Sequence, residues 1–226
     1  ESMFRKRILN VFGNYRLDEI TRLQIQTFHT ALKDEGLSGA SCDHHIKVIR
    51  HSLNLAIQWD LLKLNPADKI PLFKEDNRKE RYMTDAEQAR LVAILEAHQN
   101  RTIALLVMFL LSTGARLNEA LKSTWANIDM DNKTWRIPAT NSKSKKIHSK
   151  PLNQKAIAIL AELKETAKHD YVFTNPKTGK PYVNINKFWW KTREDAGMPE
   201  LRLHDLRHQY ASLLVNAGLT LYEVQQ

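Results

Sequence analysis

The stretch TGARLNEAL at residues 113–121 decides how the rest of this sequence is interpreted. It begins where an apolar run, Ile103 to Leu111, ends, and that run has the composition of a buried helix. Gly114 lets the backbone of the following turn approach a ligand closely, because it has no side chain. Arg116 comes two residues later, and Glu119 lies within reach to hold its guanidinium. Taken alone, the pair favours a structural ion pair at a helix start over an anion site.

A second stretch, NSKSKKIHSKPL at residues 141–152, is rich in lysine. Two strand-like segments, KTWRIP (133–138) and KIHSKPL (146–152), flank a polar turn, so the pattern predicts a β-hairpin. No acidic residue occurs between 132 and 161, and a lysine-rich turn can contact a DNA groove or backbone. A solvated loop explains the composition equally well. The candidate lysines are Lys143, Lys145, Lys146 and Lys150.

A third stretch, LRLHDLRHQY at residues 201–210, carries two kinds of side-chain chemistry. His204, Arg207 and His208 are spaced i, i+3 and i+4 and therefore share one helix face. Histidine titrates near neutral pH and can carry a proton, whereas arginine holds an anion. The H-x-x-x-H spacing also occurs in zinc helices, but Asp205 stands where that motif has glutamate, and no third ligand is evident. A satisfied surface histidine pair is the other explanation.

The first third of the chain has the pattern of a small helical bundle. Asp18 or Thr21 can cap a helix that ends at Gly36. Ser41 can cap a longer second helix, and Asn65-Pro66 ends the segment after that helix. The positions expected on the apolar stripes are Leu23, Phe28, Ala31 and Leu32 in the first helix, and Ile46, Ile49, Leu53, Ala56 and Ile57 in the second.

Residues 66–81 (PADKIPLFKEDNRKER) contain two prolines and mixed charges without periodicity, which predicts that the linker lies in this region. Thr84 then opens a new helix, with Glu87 completing a capping box. Further helices are predicted at 102–111, 153–168, 184–196 and from 204 onward. The sequence therefore predicts a mainly α protein with a small β-hairpin or sheet (α+β), divided into residues 1–75, a linker at 76–82 and residues 83–226.

The charge of the chain favours a polyanionic partner. The formal net charge is +9 and the pI is about 9.6. Residues 1–80 contain 13 Lys and Arg against 11 Asp and Glu, whereas residues 81–226 contain 21 against 14, so most of the excess lies in the second part. Nucleic acid is the commonest polyanion and binds such surfaces by releasing counterions. Charge alone also fits a soluble basic protein.

Cysteine usage and hydropathy exclude several classes of protein. Cys42 is the single cysteine, so an internal disulfide and a cysteine-based metal site are excluded, and a reducing cytoplasm is indicated. Cys42, His44 and His45 cluster at a helix start, but without further ligands we interpret them as solvated. The longest apolar run is far too short to span a bilayer, so no membrane partner is predicted.

Together, the boxes TGAR-x-x-E and H-x-L-R-H and the intervening lysine hairpin resemble those of the tyrosine recombinases, the phage-integrase family of site-specific recombinases. Each box is weak alone, but three in this order after a helical domain are specific. The resemblance implies a helical core-binding (SAM-like) domain at residues 1–75 and most of a catalytic domain at 83–226. Counting back from Pro151-Leu152 places the family's hairpin lysine at Lys143.

The resemblance also implies roles. Arg116 and Arg207 would bind the non-bridging oxygens of the scissile phosphate. Lys143 would protonate the departing 5′ oxygen, and His204 would assist the proton transfer of the nucleophile. Glu119 would orient Arg116 with His208 nearby, while Lys145, Lys146 and Lys150 would contact DNA. Double-stranded DNA is the implied partner, with tetramers on paired sites, and neither metal nor nucleotide cofactor is implied.

One family element is not found in the sequence. The nucleophilic tyrosine of the family comes a few dozen residues after the second arginine, and Tyr210 and Tyr222 lie too close to Arg207 to match it. We therefore expect that the nucleophile lies outside this chain, which would bind DNA without cleaving it. A DNA-binding regulator with the same fold, or a metal-dependent hydrolase using His204 and His208, are the alternative functions.

Overall fold

The computed structural model describes residues 3–75, 81–142 and 144–218. It divides the chain into two compact units, residues 1–79 and 80–226. The mainly helical architecture with a small antiparallel sheet confirms the predicted α+β class.

Unit 1 is helical. A π-helical turn at Phe4–Ile8 leads into α1 (Leu9–Phe12), and α2 (Arg22–Asp34) packs against α3 (Gly39–Gln58). Thr21 caps α2, since its hydroxyl accepts the N–H of Gln24 while the Gln24 side chain accepts the Thr21 N–H. The cap of α3 is Ser38, three residues before the predicted Ser41, because the Ser38 hydroxyl accepts the Ser41 N–H.

Two of the positions predicted on the apolar stripe of α2 lie outside the core of unit 1. Leu23 is 74% exposed and Ala31 also faces solvent. The inward positions instead follow the i, i+3, i+4, i+7 pattern, and they are Ile25, Phe28, His29 and Leu32. Two residues apart on a helix are about 200° apart, so a stripe that starts at residue 25 turns Leu23 outward.

A second correction concerns the cluster at the start of α3. Cys42 and His45 are buried, with exposures of 0% and 3%, whereas His44 is exposed. The interpretation of all three as solvated was therefore wrong for two of them. Cys42 belongs to the stripe that meets α2, and the His45 ring packs edge-on against Phe28.

A buried, hydrogen-bonded carboxylate connects the two long helices of unit 1 with the segment after them. His29 Nε2 lies 3.0 Å from Asp43 Oδ1. The backbone N–H groups of Phe73 and Lys74 donate to the same carboxylate, at 2.9 and 3.1 Å. Burial raises the pKa of Asp43, but these three donors outweigh it and hold the pKa below its ordinary value. The predicted linker at 76–82 lies largely outside the described residues.

Unit 2 is built around α5 (Arg101–Thr113), which is buried along nearly its whole length. Three other helices pack against it: α4 (Asp85–Glu96), α7 (Gln154–Glu165) and α9 (Asp205–Asn216). The predicted Thr84–Glu87 capping box is present at the start of α4. Two further helices complete the described part of this unit, α6 (Leu117–Leu121) and α8 (Asn186–Asp195).

The sheet of unit 2 has the strand order β1-β2-β3 and is antiparallel. β2 (Thr134–Ile137) and β3 (His148–Pro151) form the predicted hairpin, and β1 (Ile128–Asp129) adds a short edge that the sequence did not indicate. Trp135 and Ile137 of β2 are each 1% exposed. The Trp135 ring meets Phe109 of α5 edge-on, with centroids 5.4 Å apart, which fixes the sheet on the central helix.

Among the helices of the described residues, none combines the length and the apolarity needed to cross a bilayer.

We predict that Asp43→Ala will destabilise unit 1 by about 3 kcal/mol, because it leaves His29 and two backbone N–H groups without their acceptor. Native-state hydrogen exchange of the α2 and α3 amides measures this. Since the Asp43 pKa is lowered in the folded state, its stabilisation is complete above the ordinary carboxyl pKa and is lost as the pH falls through the lowered value. Asp18→Ala removes an exposed ion pair with Arg16 and should leave the protection unchanged. Equal effects of the two variants would contradict the prediction.

Candidate anion-binding site

Arg116 is held by a buried carboxylate at the start of α6. Its Nη1 donates to Glu119 Oε1 at 2.8 Å, and its backbone N–H donates to Glu119 Oε2 at 3.1 Å. The Glu119 side chain is 1% exposed, whereas that of Arg116 is 40% exposed. One edge of the guanidinium is therefore fixed by the protein, and its other donors remain available to a ligand.

Gly114 ends α5 in the left-handed conformation, with φ 58° and ψ 23°. Its N–H donates to the Leu110 carbonyl, and its own carbonyl accepts a hydrogen bond from Arg207 Nη1. The Tyr210 ring covers this glycine, because a Cβ built on Gly114 would lie only 2.4 Å from Tyr210 Cδ1. Two residues of α9 therefore contact the turn after α5, although they lie about ninety positions away in sequence.

Arg207 faces Arg116 across this turn. Arg207 is half-buried on α9, and its pKa is lowered first by burial and then by the positive charge of Arg116, while Glu119 opposes the shift. Two guanidinium groups from separate elements thus act on one another, and the Glu119 carboxylate acts on both. Such a pocket has excess positive charge and favours an anion.

His204 and His208 lie side by side, as their spacing predicted. Their rings meet edge-on with centroids 5.0 Å apart. Burial, followed by the charges of His208 and Arg207, lowers the pKa of His204. The lowered pKa favours the neutral imidazole, which is the form that can accept a proton. Among the described residues, no three His, Cys, Asp or Glu side chains form a group that could hold a metal ion, so the zinc interpretation finds no third ligand there.

The four hairpin lysines differ in their surroundings. Lys143 lies outside the described residues. Lys145 and Lys146 are exposed in the turn, and Lys145 has a positive φ of 54°. Lys150 is half-buried on β3, and its pKa is lowered by burial and then by Arg207, with a smaller contribution from Arg116. The sequence grouped Lys150 with Lys145 and Lys146. In the structure, Lys150 lies close enough to Arg207 and Arg116 for their charges to lower its pKa.

An ion pair that the sequence motifs did not reveal stabilises the start of α9. Asp205 is 2% exposed and accepts hydrogen bonds from Arg202, with Nη2 at 2.7 Å and the backbone N–H at 2.8 Å. Burial raises the pKa of Asp205, but these bonds hold it below its ordinary value. The pair fixes the first turn of the helix that carries His204 and Arg207. The i, i+3 spacing of an arginine and an aspartate was the available signal.

The fold defines the class of protein. The Tn1549 transposon integrase, solved in complex with circular intermediate DNA, has the same fold with a TM-score of 0.78 at 17% identity, covering 99% of this chain and 83% of that one. A lambda integrase dimer bound to a COC′ core site gives a TM-score of 0.77 at 18% identity, covering 97% and 82%. At these identities the likeness shows an integrase fold.

Sequence comparison shows the family. The phage integrase family matches residues 81–226, and the N-terminal SAM-like domain of phage integrases matches residues 1–33. The chain therefore belongs to the phage integrase family of tyrosine recombinases, which confirms what the motifs predicted.

Curated relatives are longer than this chain. The integrase of Salmonella phage P22 is 29% identical over 195 residues, which are 80% of this chain and 49% of the relative. The ICEBs1 integrase of Bacillus subtilis is 24% identical over 243 residues, covering 96% and 65%. The tyrosine recombinase XerD of Chlorobaculum tepidum is 27% identical over 248 residues, covering 98% and 80%. The chain thus spans about half of the first relative and about two thirds of the second.

We predict that Gly114→Ala will destabilise unit 2 by about 2 kcal/mol or more, because alanine is strained at φ 58° and its Cβ meets the Tyr210 ring. Urea denaturation measures the loss. Gly197→Ala is the matched control, since Gly197 also has a positive φ, 68°, but a Cβ built there meets no atom within 4 Å. This control should lose only the stability that backbone strain costs, about 1 kcal/mol. If both variants lost the same amount, Tyr210 would not constrain the turn.

Proposed function

We propose that this chain is a major part of a site-specific DNA recombinase (integrase). It cuts and rejoins duplex DNA through a 3′-phosphotyrosine intermediate, and so integrates or excises a mobile element or prophage. The observation that carries the proposal is that Arg207 of α9 donates to the Gly114 carbonyl, two residues before Arg116, so that two arginines from distant elements act on one another and on Glu119. A phosphodiester has the charge and the oxygen geometry for two guanidinium groups.

The two arginines bind the non-bridging oxygens of the scissile phosphate. Negative charge on these oxygens grows as the phosphorus becomes five-coordinate, so fixed donors stabilise the transition state more than the ground state. Glu119 and the Gly114 carbonyl keep the guanidinium groups oriented before DNA arrives. Pre-orientation reduces the entropy that must be lost on binding.

Proton transfer completes the step. A tyrosine oxygen forms a bond to phosphorus as the P–O5′ bond breaks. His204 assists removal of the tyrosine proton, and Lys143 donates a proton to the leaving 5′ oxygen. Since one ester replaces another, the reaction needs neither metal nor nucleotide. Tyr210 does not suit the nucleophile's role, because its ring covers Gly114 and burial raises its pKa.

The two parts of the chain have different roles in the proposal. Residues 83–226 form the catalytic domain, and their positive excess supplies most phosphate contacts. Residues 1–75 are the core-binding domain, joined by the linker at 76–82, and the two domains clamp one duplex. Self-association into a tetramer on paired sites follows from the need to exchange four strands. The lysines of the hairpin turn, Lys145 and Lys146, contact the DNA backbone.

We predict that the chain binds duplex DNA with a strong salt dependence, measured as the slope of log affinity against log salt concentration. The Lys145→Met, Lys146→Met double variant should reduce that slope by about 2, because each exposed lysine releases about one counterion. Lys164→Met is the matched control and should leave the slope unchanged, since the Lys164 ammonium lies 4.6 Å from the Trp125 ring centroid. Wild-type affinity that does not change between low and moderate salt would contradict DNA binding.

We predict a 3′-covalent protein–DNA adduct on a suicide substrate, in a form of the protein that includes the nucleophilic tyrosine. Arg116→Ala and Arg207→Ala should each slow adduct formation at least about 100-fold, because each removes up to two charge-assisted hydrogen bonds. Arg101→Ala is the control. Arg101 pairs with Glu162 at the opposite end of α5, about 20 Å from Gly114.

The chelator EDTA should leave the rate unchanged, and loss of activity in EDTA would support the metal-dependent hydrolase. Absence of any adduct on the protein's own site, with both arginines intact, would favour the non-catalytic DNA-binding regulator.

A further inference from the structure

Lys150 occupies an unusual place for a lysine. It lies on β3 directly opposite Trp135 of β2, so the two side chains point to the same face of the sheet. That face is buried at Trp135 and Ile137. A lysine at this position can lay its methylene groups on apolar surface while its ammonium group reaches the edge of the core.

The charged groups that face this ammonium are those of the arginine pocket. Arg207 exerts the largest electrostatic effect on Lys150, and Glu119 and Arg116 come next in that order. Glu119 is already hydrogen-bonded to Arg116 through both carboxylate oxygens. Within the part of the chain that the structure describes, the Lys150 ammonium makes no hydrogen bond or ion pair.

This arrangement is unfavourable for the protein alone. Three cations from three separate elements act on one another and on Glu119, and all three are partly buried. Burial and like charge lower the pKa of both Lys150 and Arg207, which means that each charged form is destabilised where it sits. Charged groups that are destabilised in this way are typical of a functional site, because a bound anion can stabilise them.

We propose that Lys150 contacts the same backbone phosphate as Arg116 and Arg207, so that one phosphodiester is held by three cations. The proposal rests on the proposed function of the two arginines as phosphate ligands. Lys150 approaches the phosphate from the sheet, whereas Arg116 and Arg207 approach it from α6 and α9. Its contribution is binding, which is separate from the proton donation assigned to Lys143.

The first test compares stability with affinity in Lys150→Met, which keeps an unbranched side chain but removes the charge. The melting temperature should rise, because a half-buried cation beside two arginines is gone, and the affinity for duplex DNA should fall about tenfold or more. A merely structural role of Lys150 would lower the stability, and a free surface lysine would leave it unchanged. Either result would overturn the proposal.

The second test locates the phosphate. A duplex that carries the protein's binding site, selected from a random pool, is prepared with each backbone phosphate in turn replaced by an uncharged methylphosphonate. The wild type should lose most affinity at one position. At that position Lys150→Met should lose about tenfold less than the wild type does, because its contact is already absent. Elsewhere the two proteins should respond equally.

Lys145→Met is the matched control, since Lys145 is an exposed lysine of the same hairpin. It should bind more weakly than the wild type, but at the phosphate whose replacement weakens binding most it should lose as much affinity as the wild type does. If the methylphosphonate reduced the affinity of Lys150→Met as much as that of the wild type, while Arg116→Ala and Arg207→Ala lost less affinity, the role of Lys150 alone would be overturned. If no single phosphate dominated in the wild type, the proposed phosphate pocket itself would fail.

Discussion

The guanidinium groups of Arg116 and Arg207 repel one another, and the turn between α5 and α6 keeps both in place. Glu119, buried at the start of α6, binds the first group, and the Gly114 carbonyl binds the second. These acceptors compensate only part of the positive charge, because a carbonyl carries no net charge and one carboxylate serves two guanidinium groups. The residual positive charge is the feature on which the proposed phosphate site rests. Every proposed role in this molecule depends on that imbalance.

The apolar core supports the pocket by fixing the elements that surround it. α5 is buried along nearly its full length and contacts α4, α7 and α9, so Gly114, which follows its last residue, has little freedom to move. Phe109 of the same helix holds Trp135 of β2, and β2 in turn sets the register of Lys150. A shift of one residue in that register would turn Lys150 to the opposite face of the sheet. Packing of the core therefore decides which charged groups meet.

Local signals predicted the helices of this chain well where a capping motif was present. The Thr84–Glu87 box and the Thr21 cap both appear in the structure, because they depend on residues only three positions apart. Predictions of burial were less successful. Leu23 faces solvent, whereas Cys42 and His45 are buried, because burial depends on which face of a helix meets its neighbour. Apolar character alone does not determine that face.

The sequence by itself determined the class of fold, the family and the identity of the two arginine boxes, since these are carried by short motifs in a fixed order. It also placed Glu119 within reach of Arg116, because both lie on one helical turn. Only the tertiary structure decided that Arg207 donates to Gly114, that Tyr210 covers the same glycine, and that Lys150 joins the two arginines. These contacts connect residues that are roughly thirty to ninety positions apart. Such distant residues meet only when the core has set the angles between helices and sheet.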